Sequence, residues 1–367
     1  MFLNAKNRNK IYIIFMLCFV FYNCKTVSNN SESSDILVDI YVGANNGYWK
    51  NGEWIGFPFY KNGLNIYTFL VSGKDKYAGG YLPTSPIDVV ENPGYRKACI
   101  LKNGKRIPMT YLCDYKESYI RSIAIYNNDI YAGGYGKTCS GLARAGYWKN
   151  GKWIGLNPIN NKKSSIISSI TVYNGDVYAA GSCYIDSEIR SAGYWKNGKW
   201  TTLSFPDDSV NNSGVAEMVI YNGDIYVAGY CDYGSKISIP GYWKNGKWVK
   251  LDDTGKIVTS LFIDEKDIYV GGFIDTGLTT SVAGYWKNSK WIELKTPYQE
   301  ESSGISSIVV HNKNVYAAGW YRNNSSVTQL CYWKNGEVIT LYDKAGIFSR
   351  NSWVTSIIVV DKAQDED

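Results

Sequence analysis

After residue 36 the chain is written in short apolar runs, each bounded by Gly, Asn or Asp. Three kinds of run recur in fixed order. The first is β-branched, as in Ser169-Ile170-Thr171-Val172-Tyr173, and returns around Phe69, Ile123, Met218, Leu261, Ile308 and Ile357. The second reads Asp-(Ile/Val)-Tyr-x-(Ala/Gly)-Gly, with Tyr41, Tyr77, Tyr131, Tyr178, Tyr226, Tyr269 and Tyr316 spaced 36, 54, 47, 48, 43 and 47 residues apart. The third is Gly-Tyr-Trp-Lys-Asn-Gly-x-Trp, at Gly47–Trp54, Gly146–Trp153, Gly193–Trp200 and Gly241–Trp248. Gly284–Trp291 carries Ser289 in place of the turn glycine, and Cys99–Gly104 and Cys331–Gly336 are degenerate copies. Runs of this length and composition are strands. Asn-Gly between two of them accepts the two positive φ values of a type I′ turn, the strongest short hairpin signal.

One repeat is therefore a four-stranded antiparallel meander of roughly 47 residues, too thin to bury both faces alone. Seven such units arranged radially do bury them, and that arrangement is a β-propeller. The ends support closure. The first unit lacks its β-branched strand and begins at Asp39-Ile40-Tyr41, whereas Val354–Val360 is such a strand with no successor. Pairing them completes a blade from both termini and removes the free sheet edges. The expected fold is all-β, a seven-bladed β-propeller over 36–361 whose first blade is closed by the C-terminal strand. A polar tail, 362–367, follows. Chain length alone would suggest two or three domains; the repeats make it one monomeric propeller.

The strand pattern resembles the kelch repeat, in which a Tyr-containing strand ends in Gly-Gly and a Trp opens the outermost strand. Tyr77-Ala78-Gly79-Gly80, Tyr131-Ala132-Gly133-Gly134 and Tyr269-Val270-Gly271-Gly272 carry the Gly-Gly, and Trp153, Trp200, Trp248 and Trp291 sit where the kelch Trp would. Tyr178, Tyr226 and Tyr316 are followed by Ala-Gly instead, and the first Trp with its tight Lys-Asn-Gly turn is not a kelch hallmark. The resemblance implies a fold and leaves the function open, because kelch-like propellers include binding domains and enzymes.

The hairpins fix several contacts in advance. A two-residue turn sets Trp148 opposite Trp153 and Lys149 opposite Lys152, a pattern repeated at Trp49/Trp54, Trp195/Trp200, Trp243/Trp248 and Trp286/Trp291. These indoles either fill the wedge between outer strands or, if exposed, stack on sugar rings. Antiparallel pairing also brings Asp39, Asp75, Asp129, Asp176, Asp224 and Asp267 beside Lys50, Lys102, Lys149, Lys196, Lys244 and Lys287, with Asn314/Lys334 the exception. A ring of exposed ion pairs on the tight-turn face is expected. The opposite face carries longer connections that differ between blades, and such loops are where recognition concentrates. Its candidate binding residues are Tyr81, Arg121, Tyr135, Arg144, Tyr184, Arg190, Tyr230, Tyr233, Trp320, Tyr321 and Arg322, because Arg and aromatic side chains are favoured anchors. Thr68, Ser122, Ser169, Ser260, Ser307 and Ser356 occupy equivalent inner-strand positions, either as a hydroxyl ring in the channel or satisfied by neighbouring backbone. Glu217 stands in that series and joins the candidates.

The N-terminus reads as an export signal. Lys6, Arg8 and Lys10 precede the apolar run 11–22, which spans only about 18 Å as a helix against a hydrocarbon core of about 30 Å. Phe21-Tyr22-Asn23-Cys24 resembles a relaxed lipobox of bacterial lipoproteins, with Phe for the usual Leu and Tyr-Asn for small residues. The resemblance implies a signal peptide over 1–23, an acylated Cys24 and a membrane-tethered protein of the bacterial envelope. The polar stretch 24–35 reads as a flexible spacer. The remaining cysteines, Cys99, Cys113, Cys139, Cys183, Cys231 and Cys331, form no Cys-x-x-Cys and are either buried thiols or disulfides.

Composition narrows the chemistry. The chain holds 36 Gly, 32 Tyr, 13 Trp and a single His; eleven of the tryptophans lie in the third run, so their abundance is architectural. One His removes sites that need several imidazoles, including the copper site of galactose oxidase. His311 ends an inner strand where Tyr126, Tyr173 and Tyr221 stand in other blades, which suits a turn-flanking substitution better than a triad. The formal charge of +6 falls to +3 without the three basic residues of the signal (36 − 33), which gives no reason to expect nucleic acid. No P-loop, Gly-x-Ser-x-Gly, His-Glu-x-x-His or sialidase box is present. Neither a cofactor nor a metal is expected, and no catalytic residue is singled out. The sequence reading is a lipid-anchored envelope module that binds a protein, peptide or glycan on its loop face. The alternatives are a carbohydrate-active enzyme on the same scaffold, since sialic-acid mutarotases resemble kelch propellers, or a structural component of an envelope complex.

Overall fold

The computed structural model describes residues 14–15, 38–58, 63–83, 96–110, 115–186, 189–204, 210–233, 237–251, 256–275, 280–298, 302–323, 325, 327–342 and 352–362. Cys24 and the rest of 24–35, expected as a spacer, Cys113 and residues 363–367 of the tail lie outside them. Of residues 1–23 only Ile14–Phe15 are described, as a two-residue strand paired with Ile125 and Ala124.

Seven antiparallel sheets of four strands form the ring, with Ile14–Phe15 added to the inner edge of the third. The innermost strands, in blade order one to seven, are Val354–Asp361, Asn65–Ser72, Tyr115–Tyr126, Ser165–Tyr173, Val210–Tyr221, Lys256–Asp264 and Ser303–His311. Blade one is closed as expected: Val354–Asp361 pairs with Val38–Ala44, from Val38 opposite Asp361 to Ala44 opposite Val354. Turn chemistry sets this register. Asn51, Asn103, Asn150, Asn197, Asn245, Asn288 and Asn335 all adopt φ near +50°, and Ser289 takes φ +66° where the other blades have Gly.

The tryptophan pairs form in all five expected blades, with ring centroids 4.4–4.6 Å apart. The two members do different work. The first Trp is buried and its indole N–H reaches the chain leaving the preceding blade: Trp148 to Thr110 O, Trp195 to Asn157 O, Trp243 to Ser204 O and Trp333 to Lys295 O, at 2.7–3.2 Å. Trp49 makes the same bond to Tyr342 O at 3.1 Å and so fastens the seam between blades seven and one. The second Trp lies flat over the glycine that opens the motif. A Cβ on Gly47, Gly146, Gly193, Gly241 or Gly284 would come within 2.3–2.5 Å of its ring. The degenerate repeats obey the same rule. Where Arg106 and Val338 replace the second Trp, opposite Leu101 and Trp333, the glycine is relaxed to Cys99 and Cys331. Glycine and indole thus vary together because they compete for one volume.

All six ion pairs form, at 2.7–3.2 Å. Each is a small cluster. Asp129 accepts from Lys149 and from the turn Asn150, whose own Oδ1 takes the Ile130 N–H, and Lys149 lies over the Tyr131 ring. Those hydrogen bonds from Lys149 and Asn150 hold the Asp129 carboxyl below its ordinary range. In blade seven Asn314 accepts from Asn335 instead. His311 also has a structural use: its Nε2 lies 2.7 Å from Asp361 Oδ1, tying blade seven to the closing strand. Cys99, Cys183, Cys231 and Cys331 are buried and reduced, and Cys139 is exposed and reduced. Burial pushes the Cys99 and Cys183 thiols up to about 11, so they are poor nucleophiles.

Candidate functional site

Every innermost strand contains a β-bulge at the same place, and those of blades three and five carry a second irregularity nearer the loop face. The register skips Thr355, Tyr67, Arg121, Ser168, Ala216, Thr259 and Ser306, one in each blade. A bulge leaves one residue outside the ladder and turns its side chain away from the sheet. Here it turns seven side chains into the channel. The bulge also explains the Gly of the second strand. It presses an inner-strand carbonyl onto Gly80, Gly134, Gly181, Gly229, Gly272 and Gly319, where a Cβ would lie only 1.8–2.0 Å from that oxygen.

The seven bulged residues line one cavity of about 380 Å³ on the channel axis, together with Trp353, Val354, Val258, Thr68, Ser122, Ser169, Glu217 and Ser260. Because the inner strands run from the loop face toward the tight turns, Trp353 and Val258 put its mouth on the loop side. Five of the bulged residues are Ser, Thr or Ala. Tyr67 and Arg121, in adjacent blades, break the pattern. The Arg121 guanidinium stacks 4.3 Å from the Tyr67 ring and lies 5.9 Å from that of Tyr135, whose hydroxyl it reaches at 3.5 Å. On its other side Tyr67 stacks on Trp353 at 6.0 Å and 22°, and the Trp353 indole is held by a bond to Ile66 O.

An aromatic ladder continues outward from this cluster. Tyr67 meets Tyr81 at 5.8 Å, Tyr81 meets the Tyr119 edge at 5.4 Å, and Tyr119 stacks on Tyr135 at 4.9 Å. Arg96 lies over Tyr81 and Tyr119 and donates to the Tyr119 hydroxyl at 3.1 Å, which in turn donates to Glu117 at 2.8 Å. Burial raises the Tyr119 phenol, so it remains a neutral donor. Burial also works to raise Glu117, but its bonds from Tyr119 and Lys137 outweigh this and hold it below its usual range. The neutral tyrosines are thus held by charged Arg96, Glu117 and Lys137, whereas Arg121 lies between Tyr67 and Tyr135 and no carboxylate among the described residues forms an ion pair with it.

The opposite side of the cavity holds Glu217. It occupies the place of the serines, and its Oε2 accepts from the Leu261 N–H at 2.7 Å and the Ser260 hydroxyl at 2.9 Å. The inner hydroxyls do the same between other blades: Ser122 accepts from Ile170 N, Ser260 from Ile308 N, and Ser356 donates to Phe69 O. The series therefore serves the backbone of the next blade, one of the two uses expected of it. Enclosure by the ring, only partly offset by the Leu261 and Ser260 bonds, pushes the Glu217 carboxyl up to about 7.

The other sequence candidates are dispersed. Arg144 braces a connection, donating to Lys163 O at 2.6 Å and to Asn161 O. Tyr184 lines a second groove of about 410 Å³ with Tyr135, Lys137 and Lys163. Arg190 lies 5.5 Å over the Tyr230 ring, joining blades four and five. Trp320 covers Gly304. Tyr321 is buried with its hydroxyl 2.8 Å from Thr340, while Arg322 is exposed. Tyr233 pairs with Val210 and Ile237; its side chain lies outside the described residues. Of the twelve, Tyr81, Arg121, Tyr135 and Glu217 belong to the channel-mouth site. Tyr67, Trp353, Arg96, Tyr119 and Glu117 belong there too and were missed, although Tyr67 is visible once the inner strands are aligned at the bulge.

The class that this architecture defines is the seven-bladed β-propeller. No family model and no curated protein sequence matches the chain. Among solved structures it is similar to a polysaccharide lyase of a family described as PL25, an ulvan lyase, at TM-score 0.52 and 11% identity over 84% of this chain and 92% of that one. An ulvan lyase bound to -[GlcA(1-4)Rha3S]- gives 0.51 and 11% over 84% and 92%. The propeller domain of the Trilobed protease from Pyrococcus furiosus gives 0.47 and 14% over 83% and 94%. At these identities the likeness is one of fold.

Proposed function

We propose that the chain is a lipid-anchored binding module of the bacterial envelope, tethered through Cys24, with kelch-like blades and its ligand site at the loop-side mouth of the channel. The observation that carries this reading is the break in symmetry. Five blades place Ser, Thr or Ala at the bulge, whereas blades two and three place Tyr67 and Arg121 there and Trp353 of blade one joins them, with Glu217 across the cavity. Aromatic faces suit the apolar faces of sugar rings, and a guanidinium with no carboxylate partner in the described structure suits a carboxylate or sulfate. An acidic glycan is therefore the ligand class that this chemistry favours over a peptide. A screen of acidic oligosaccharides against the full chain tests it. Arg121→Ala is expected to weaken binding at least about tenfold, the size of one lost charge-assisted pair, with the melting temperature unchanged because Arg121 is exposed. Equal binding by the variant would remove Arg121 from the site.

A second reading, a glycan-acting enzyme, is favoured by one observation. Glu217 shares the cavity with Arg121 and Tyr67, and a carboxyl poised near neutrality suits proton transfer. The fold likeness to ulvan lyases agrees with that reading without supplying residues. Turnover of an acidic polysaccharide that is lost in Glu217→Gln would favour it over simple binding.

A further inference from the structure

The tight-turn face carries a charge pattern that its ion pairs leave unused. The first residue of the outer strand, directly after the Asn-Gly or, in blade six, Asn-Ser turn, is Lys105, Lys152, Lys199, Lys247 or Lys290 in blades two to six, and all five are exposed. Each stands directly opposite the lysine that is already paired with Asp. Like charges placed so are unfavourable. Blades one and seven put Glu53 and Glu337 at the same position, opposite Lys50 and Lys334, so a carboxylate fits there and would improve the hairpin. Among the described residues none of the five lysines has an ion pair. Those five charges exceed the whole excess of residues 24–367, which is three (36 − 33). Among the described residues, the carboxylates of this face that form no ion pair, Glu53, Glu337, Asp264 and Glu265, gather in blades one, six and seven, and in blades two to five every carboxylate of this face is paired, which leaves those blades net basic.

The chain also enters the ring on this face, since Val38 pairs with Asp361 at the tight-turn end of blade one. From Cys24 to Val38 the chain can span at most about 50 Å, so the face can rest on a bilayer to which Cys24 is anchored. We infer that the lysine arc docks on anionic phospholipid headgroups, holding the tight-turn face against the membrane and the channel mouth away from it. A basic cluster near an anionic surface is attracted to it, an interaction that fades within a Debye length of about 8 Å. The tether belongs to the lipoprotein reading, whereas the arc belongs to the fold, and the test separates them.

The full chain carrying Cys24→Ser, which cannot be acylated, is compared with the same chain carrying Lys105→Glu, Lys152→Glu, Lys199→Glu and Lys247→Glu. The four substitutions copy the residue that blades one and seven already hold, and a melting curve checks that the fold is kept. Both chains share the apolar 11–22 segment, so their difference reports the arc. Sedimentation is measured with vesicles of phosphatidylcholine alone and of phosphatidylcholine with phosphatidylglycerol. The parent is expected to favour the anionic vesicles by at least about tenfold, with the preference falling as salt rises and lost in the variant. Equal binding to both vesicles, an unchanged preference in the variant, or tighter capture by double-stranded DNA or a sulfated polysaccharide than by vesicles would overturn it. Acylation of Cys24 is read separately by fatty-acid labelling of the unmodified chain; its failure would remove the anchor and leave the vesicle result standing.

Discussion

Trp243→Ala is expected to lower the unfolding free energy by about 3–5 kcal/mol, the range for a large aromatic deleted from a packed interior. The indole is fully buried between blades four and five, and its N–H holds Ser204 O at 2.9 Å. Alanine leaves both a cavity and an orphaned carbonyl. Trp248, 4.4 Å away and only partly buried, performs a different task, and Trp248→Ala is expected to cost about half as much. Urea denaturation of both variants measures the difference. If the two costs are equal, the first Trp is not the latch between blades.

The second large effect concerns pH. A carboxyl raised from 4.5 to about 7 on folding binds its proton more tightly in the native state than in the unfolded chain. Its contribution is complete below pH 4.5, declines as pH rises through 7, and is gone above that. Converted at 1.36 kcal/mol per pH unit, the loss is about 3 kcal/mol. Glu217→Gln keeps an oxygen for the Leu261 N–H and the Ser260 hydroxyl and removes the titration. The variant is expected to match the parent near pH 4.5 and to exceed its stability by about 3 kcal/mol at pH 8. Parallel stability curves for the two proteins would show that Glu217 ionises as it does in water.

The repeats made the scaffold legible. Asn-Gly fixed each hairpin, the hairpins fixed the Trp pairs and the Asp–Lys ring, and the unmatched ends fixed the closing strand. Such features depend on neighbours within one blade, which lie close in sequence. The site depends on two things that a repeat conceals. A bulge adds one residue with no compositional mark, so the sequence reading placed Ser122 and Ser169 at the channel, where they do line the cavity, but missed that Ser168 and the other bulged residues project there beside them. Contacts between blades depend on how the sheets are inclined, and only closure of the ring sets Trp353 against Tyr67, 286 positions earlier. Arg144 and Tyr321 illustrate the converse. Both looked like loop-face anchors, yet Arg144 braces a connection and Tyr321 is buried with its hydroxyl on Thr340. The second Gly of the Gly-Gly that suggested kelch also proved to have a local cause, the carbonyl that the bulge presses onto it in blades two to seven, whereas the first Gly, at Gly79, Gly133 and Gly271, meets isoleucines of the neighbouring blade.

The central claim is that ligand binds at the bulged mouth of the channel in blades one to three. Hydrogen exchange of the full chain with and without a saturating uronic-acid oligosaccharide tests it most directly. Slowed exchange is expected in the peptides that contain Tyr67, Arg121 and Trp353, with no change in the Asn-Gly turns or outer strands. Protection confined to the turn face or to the outer strands, with the channel peptides unaffected, would contradict it.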